Sequence, residues 1–349
     1  MNYNYDIKII SEKDIIDAGC FNLPAIINIC EEVLLEYNDG KTIFPEKVST
    51  IFNEEKQNRI NCLPAGILPE NIYGMKWVSV FPNNPVVAGV PNLSAVILLS
   101  ELITGYPIAL LEGGICTNLR TAAVGAIAAK YLARKDSVSI GIIGAGEQAK
   151  SHLLAIKSVL PHIQKCKVAS RSITSETAFI ENMQQFVPDL EFISCNSDYQ
   201  EAVKDADIIV TAISGQEKIL QSEWIKDGTF YIHVGGLEDD FSVPIKATKI
   251  VCDDWNTVKH RTQTISQMHK LGLLKDEDIY ANLSDLILSK KAGRENDQEF
   301  IYFNSVGLSF IDIKVAIWMY KKVLDAGLGV TAKIKEDSIF DYGLNNFVI

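Results

Sequence analysis

The run Ile140-Gly141-Ile142-Ile143-Gly144-Ala145-Gly146-Glu147-Gln148-Ala149 carries the sharpest chemical signal in the chain. Two glycines and an alanine at G-x-G-x-x-A spacing follow an apolar stretch and precede a helical pattern. Gly144 permits a tight turn, Gly146 lets backbone approach a pyrophosphate, and Ala149 allows a helix to pack closely on the strand. A helix starting at Glu147 and Gln148 offers free N–H groups to phosphate oxygens. The pattern predicts a dinucleotide site built from Gly144, Ala145, Gly146, Glu147 and Gln148. A plain structural turn is the competing reading, and the ordered strand, turn, helix and second strand count against it.

The end of the second strand chooses between cofactors. An acid about twenty residues past the fingerprint would bond a ribose 2′-hydroxyl. Here the run is Val168-Ala169-Ser170-Arg171-Ser172, with no acid. Arg171 between Ser170 and Ser172 suits a 2′-phosphate, because a guanidinium forks onto phosphate oxygens. NADP(H) is therefore expected ahead of NAD(H), with an ordinary exposed arginine as the alternative. Three further cations stand among apolar or glycine neighbours: Arg59 after Asn58, Lys76 in Gly74-Met75-Lys76-Trp77, and Arg120 in Leu119-Arg120-Thr121-Ala122. An isolated cation in an apolar strand is costly unless paired or solvated. Taken singly, each reads as a snorkelling surface residue or a structural ion pair.

The elements that must hold these residues follow from periodicity. Residues 8–40 predict a short strand and one amphipathic helix, capped at Asp14 or a neighbour, with Ile15, Ile16, Ile26, Ile27, Cys30, Val33 and Leu34 at helical spacing. From about 46 to 112, short β-branched and aromatic runs such as 73–81 and 93–99 predict a mixed or antiparallel sheet. An alanine-rich helix over 117–132 places Arg120 in its first turn. Strands at 137–143, 167–170, 191–195, 207–213, 229–234 and 249–253 alternate with helical or turn segments. That rhythm predicts a Rossmann-type, doubly wound parallel sheet. A strand at 300–304 and a helix at 310–325 close the chain. The expected division is a substrate-binding domain over 1–120, a dinucleotide domain over 121–308, and a helix and tail over 309–349 that return to the first domain.

Composition narrows the function classes. With 349 residues, 47% hydrophobic and 22% charged, the chain is an ordinary globular one, which excludes long disorder, collagen and coiled coil. The net charge of −11 and the absence of a basic stripe argue against nucleic acid. Seven dispersed cysteines without a C-x-x-C pair read as reduced thiols of a cytoplasmic chain. Residues 1–6 lack a signal pattern, and no apolar run reaches membrane-span length. The five histidines, at 152, 162, 233, 260 and 269, have no metal spacing, and no G-x-S-x-G elbow supports hydrolase chemistry. No metal is expected; structural or surface roles suit the histidines, with His233 the one placed to line a pocket. The pairs Asp239-Asp240 and Asp253-Asp254 read as solvated loop acids rather than chelators.

Several motifs together resemble the ornithine cyclodeaminase/μ-crystallin family over about residues 8–330. They are Gly74 to Trp77 with Pro82, Leu119 to Ala123 with Ala128 to Ala133, the Gly144 to Ala149 turn, Asp253-Asp254-Trp255, and Asn304-Ser305-Val306-Gly307. The resemblance implies a homodimer formed through the first domain and a cationic clamp on a substrate α-carboxylate. By motif, Arg59, Lys76 and Arg120 form that clamp, while Thr121 and Ser305 face the cofactor. Cyclodeaminases of this family carry Asp directly after Val-Gly-Gly; this chain has Leu237 there, followed by Glu238, Asp239 and Asp240. The departure argues against cyclodeaminase activity. It leaves the proton of the substrate nitrogen to Glu238 first and Asp240 second, with Asp239 the remaining acid and Lys76 or a water chain as the fallback.

The C-terminal half looks closest to siderophore-pathway aminocarboxyethyl-glutamate dehydrogenases. The expectation is thus an NADP(H)-preferring oxidoreductase, with NAD(H) possible, acting at the C–N carbon of a small carboxylate-bearing amine, imine or keto acid. Its rivals are a cyclodeaminase that uses NAD catalytically and a non-catalytic NADPH-dependent ligand-binding protein.

Overall fold

The computed structural model describes residues 5–53 and 55–335; positions 1–4 and 336–349, where parts of the leader and tail expectations fall, lie outside the described residues. The chain divides into two compact units, one of residues 1–22, 40–117 and 312–349, the other of residues 23–39 and 118–311.

The first unit is built on an eight-stranded sheet. Its order runs Val330–Lys335, Tyr5–Ile10, Pro107–Glu112, Leu93–Glu101, Ile72–Val80 and Asn58–Ile67, with Thr42–Ile43 and Val48–Asn53 both pairing the last. All pairings are antiparallel except that of Tyr5–Ile10 with Pro107–Glu112. Alternation sets the two faces. Leu63, Lys76, Ile97 and Leu111 form one register row across four strands, and all four are buried. Next to it, Ala65, Gly74, Leu99 and Ala109 form a row of mostly small residues. A Cβ on Gly74 would lie 2.8 Å from Ile313 Cδ1 and 2.9 Å from the Leu98 carbonyl. The small row therefore seats the helix Ser309–Asp325 on the sheet and brings Asp312 beside Lys76.

The second unit holds an all-parallel sheet of eight strands in the order Glu191–Ser194, Lys165–Ala169, Ser139–Ile143, Ile208–Thr211, Phe230–His233, Ile301–Asn304, Lys249–Cys252 and Ala281–Asn282. The doubly wound expectation matches this sheet. Ala169, Ile143, Thr211, His233, Asn304 and Cys252 stand in one register row at its carboxyl edge. In open α/β sheets that edge is where ligands bind.

Three local expectations change. The single N-terminal helix is two, Glu12–Asp17 and Leu23–Asn38, because Gly19 adopts φ +72 between them. Ser11 rather than Asp14 is the cap; its hydroxyl takes the Asp14 N–H while Asp14 reciprocates. The second of these helices packs within the second unit, against Glu147–Val159 and Leu283–Ile287, and its Glu31 accepts from Lys130 Nζ at 2.6 Å and Tyr131 Oη at 2.9 Å. The alanine-rich helix spans Gly114–Leu132, starting earlier than expected because the Glu112 carboxylate accepts from Gly114 N and Ile115 N. Arg120 consequently lies in its second turn. The strand Val330–Lys335 was not foreseen: its burial is too slight to give a readable alternation.

Candidate active site

In the second unit the fingerprint forms the expected strand, turn and helix. Gly144 has φ +111, and a Cβ there would lie 2.4 Å from the Ala212 carbonyl. Gly146 is the N-cap of the helix Glu147–Val159 and provides no side-chain cap. Nothing lies within 4 Å of the point where its Cβ would stand. An open, side-chain-free helix N-terminus at the carboxyl edge fits a pyrophosphate. Ala145 is half-buried, Glu147 is exposed and pairs with Lys150, and Gln148 donates to Asn118 Oδ1 at 2.9 Å.

At the next strand end, Arg171 is exposed, but its two serines are engaged within the turn. Ser170 Oγ donates to the Ser172 carbonyl at 2.9 Å, and Ser172 caps the helix Ile173–Met183. An acid does stand here, six residues past Ser170: Glu176, fully buried. Its carboxylate accepts from Ser170 N, Ser197 N, Asn196 N and Ser194 Oγ at 2.5–3.0 Å. Four protein donors leave it no part in binding a ribose hydroxyl. It fixes the backbone of the loop that displays Arg171.

The acids after Gly236 depart most from expectation. They are not solvated loop residues as a group. Glu238 and Asp239 are wholly buried, because the segment folds back over the sheet edge. Glu238 accepts from Thr211 Oγ1 at 2.7 Å, Ile213 N at 2.6 Å and Gly235 N at 2.9 Å. Asp239 accepts from Thr264 Oγ1 at 2.5 Å and lies 2.9 Å from His233 Nδ1. His233 Nε2 is 2.7 Å from the Gly236 carbonyl, an acceptor only, so that nitrogen carries a proton. Burial alone would lower the His233 pKa, but the Asp239 and Glu238 carboxylates outweigh it and push it up to about 9. His233 is thus an imidazolium held between two carboxylates. Asp240 alone of the three acids keeps an exposed face; the Ser242 N–H at 2.9 Å helps hold its carboxyl below the usual range.

Asp253 and Asp254 are buried too. Asp253 accepts from Val306 N, Gly307 N and Ser305 Oγ at 2.9–3.0 Å, which fixes the turn after Asn304 and engages the Ser305 hydroxyl. Burial raises its pKa to about 6 against the pull of those donors. Asp254 caps the helix Trp255–Val258. Gly307 has φ +77, and a Cβ on it would stand 2.4 Å from Arg120 Nη1, so the turn and the buried guanidinium are fitted to each other. Thr121 is buried beside Arg120 in sequence. His152, held down to about 4 by burial with Arg120 adding to the effect, stays neutral.

In the first unit, Lys76 Nζ lies 2.6 Å from Asp312 Oδ1 and 3.4 Å from Thr117 Oγ1. Both charged groups are buried, with side-chain exposures of 2% and 0%. Arg59 projects from the same face of the sheet as Lys76, one strand over and half-buried, with Nη1 donating to the Gln57 carbonyl at 3.1 Å. Burial lowers its pKa from the ordinary guanidinium value, which leaves a cation short of water. Asp312 was missed from sequence. The available signal was a lone acid in the apolar run Phe310-Ile311-Asp312-Ile313. Among the described residues, no group of three or more His, Cys, Asp or Glu converges on a metal position, and no helix is long and apolar enough to cross a membrane.

Residues 10–327 match the family described as ornithine cyclodeaminase/mu-crystallin. N-((2S)-2-amino-2-carboxyethyl)-L-glutamate dehydrogenase of Staphylococcus aureus is 28% identical, covering 95% of this chain and 99% of that protein. The structure of Thermococcus litoralis Δ1-pyrroline-2-carboxylate reductase with NADH and L-proline aligns with a TM-score of 0.88 at 32% identity, covering 93% and 99% of the two chains. An archaeal alanine dehydrogenase dimer with bound NAD aligns with a TM-score of 0.85 at 30% identity, covering 95% and 100%. On the extent of that match and of these likenesses, the chain belongs to the ornithine cyclodeaminase/mu-crystallin family.

Proposed function

We propose that the protein is an NAD(P)-dependent oxidoreductase acting at the carbon of an amine or imine next to a carboxylate. The observation that carries this reading is the open helix N-terminus at Gly146, which follows the Gly144 turn at the carboxyl edge of the parallel sheet. Its relatives include dehydrogenases and reductases of such substrates. A bound nicotinamide supplies or takes up hydride; the chain's residues bind, orient and handle the proton. Gly144 to Gln148 hold the pyrophosphate through backbone N–H groups. Lys76, Arg59 and Arg120 bind the substrate carboxylate. An amine must be neutral before its carbon loses hydride, so an ionised carboxylate is needed as proton acceptor. Asp240 is assigned that role, since Glu238 and Asp239 are engaged in holding their loop. Seven free thiols suit a reducing compartment such as the cytoplasm.

The cofactor is NADP(H) in this reading, on the strength of the acid-free loop that displays Arg171. Arg171→Ala is expected to weaken NADPH binding by about 1–3 kcal/mol and leave NADH binding nearly unchanged. Titration calorimetry with both cofactors decides it; equal losses, or tighter NADH binding in the parent, would sink the assignment.

The carboxylate clamp and the proton route are read by kinetics and unfolding together. Lys76→Met removes a counter-charge from buried Asp312 and is expected to cost up to about 3–5 kcal/mol of stability. Adding Asp312→Asn to it should restore most of that stability but not the activity. Asp240→Asn should keep ligand binding and lower kcat by about 10²–10⁴-fold. If the double variant recovers kcat/KM along with stability, Lys76 is structural only. If Asp240→Asn turns over normally, the proton runs elsewhere.

The protein is assigned as a homodimer through the outer face of the first sheet, opposite Lys76. There Val48, Cys62, Trp77 and Val96 form one register row, with Val48 63%, Trp77 44% and Val96 43% exposed. A second copy of the chain would cover this apolar row. Sedimentation velocity should give a dimer for the parent and a monomer for Trp77→Glu; a monomeric parent at micromolar concentration rejects the assignment.

A further inference from the structure

Gln263 stands at the N-terminus of the helix Thr264–Lys270 and is 5% exposed. The short side chains of Ser, Thr, Asp or Asn at that place ordinarily cap the helix's first N–H groups. Gln263 makes no such bond. Its Nε2 donates to the Gly235 carbonyl at 2.8 Å and to the Ser305 carbonyl at 3.0 Å, and its Oε1 accepts from Asn304 Nδ2 at 2.8 Å. Carbonyl oxygens only accept, so the partners themselves fix which way the amide points.

The two carbonyls belong to different loops, which leave the adjacent strands Phe230–His233 and Ile301–Asn304 at the carboxyl edge of the parallel sheet. Gly235 opens the segment that ends on Asp240. Ser305 opens the turn whose Gly307 is fitted against the Arg120 guanidinium. Each loop has its own anchor, the Glu238 carboxylate for the first and the Asp253 carboxylate for the second. Those anchors set each loop's shape. The Gln263 amide fixes the distance between the loops.

We infer that Gln263 is a positioning residue, a crossbrace that holds the Gly235 and Ser305 loops at the spacing the reaction requires. The inference rests on the function proposed above. Gln263 is 5% exposed and spends its amide on the two loops and on Asn304, so its role needs no contact with a ligand. Without its donors, the part-buried Gly235 carbonyl and the buried Ser305 carbonyl lose a partner each and the loops are free to separate. A misplacement of about 1 Å at a reacting centre costs on the order of a hundredfold in rate.

The test compares the full-length parent with Gln263→Met, which keeps the volume and removes the amide, and Gln263→Asn, which keeps the amide one methylene short. Δ1-pyrroline-2-carboxylate serves as the probe substrate, alongside 2-keto acids supplied with ammonia or an amino acid. Four quantities are read for each protein: melting temperature, NADPH affinity by fluorescence, kcat and KM, and the primary isotope effect with 4-deuterated NADPH. For Gln263→Met, the melting temperature should fall by a few degrees, because three polar groups lose their partner, while NADPH affinity stays close to the parent. Its kcat should fall about ten- to hundredfold, with a larger isotope effect as hydride transfer becomes limiting. Gln263→Asn should fall between the two.

An unchanged kcat and isotope effect in Gln263→Met would overturn the crossbrace. So would a joint loss of melting temperature, NADPH affinity and rate in both variants, or failure of both to fold, since Gln263 would then be structural support alone. A parent that turns over none of the probes overturns the proposed function and the crossbrace with it. A working parent beside an unaffected Gln263→Met overturns the crossbrace only.

Discussion

A charge buried away from water must be met by an opposite charge or by a full set of hydrogen bonds, and the candidate site depends on that requirement. In the first unit, Lys76 stands in a row otherwise made of Leu63, Ile97 and Leu111 and is met by Asp312. In the second, His233 is met by Asp239 and Glu238, while Glu176 and Asp253 are met by hydrogen-bond donors, chiefly backbone N–H groups. Two of these pairings tie together segments that are distant in sequence. Lys76 and Asp312 join strand to helix across 236 residues; Asp253 joins one strand end to the turn after another. The polar groups left facing outward are therefore oriented before any ligand arrives, which is the condition under which electrostatic groups act most strongly on a reaction.

The pH behaviour of these groups suits work near neutrality. His233, at about 9, keeps its proton, and the loop after it stays clamped between imidazolium and carboxylates. Asp253, at about 6, is an anion there and holds the N–H groups of Val306 and Gly307. His152 is neutral, so it adds no positive charge beside Arg120.

The fingerprint was legible in the sequence because steric need dictates residue type. Only glycine suits Gly144, at φ +111 with a carbonyl 2.4 Å from any Cβ. The parallel sheet was legible because strands buried on both faces read as short apolar runs. The burial of Glu238 and Asp239 was not legible, because nearness in sequence does not say which way a loop turns. Glu238 lies one residue past the position at which cyclodeaminases of the resembled family carry their acid, yet it points into the sheet edge and bonds Thr211. Glu176, Gln263 and Asp312 were missed for a related reason: their partners come from distant segments, and composition gives no sign of them. The helix Leu23–Asn38 shows the same limit at the scale of an element. Periodicity identified its apolar face, but only packing shows that the face is buried within the second unit.

Hydride transfer to the carbon beside a carboxylate can be followed by incubating the protein with 4-deuterated NADPH and a panel of carboxylate-bearing cyclic imines and keto-acid–amine pairs, and locating the label by NMR. One deuterium is expected at the carbon α to the carboxylate, with one equivalent of cofactor oxidised per product. Ammonia released from a diamino acid without net cofactor turnover, or tight NADPH binding with no label in any product, would contradict it.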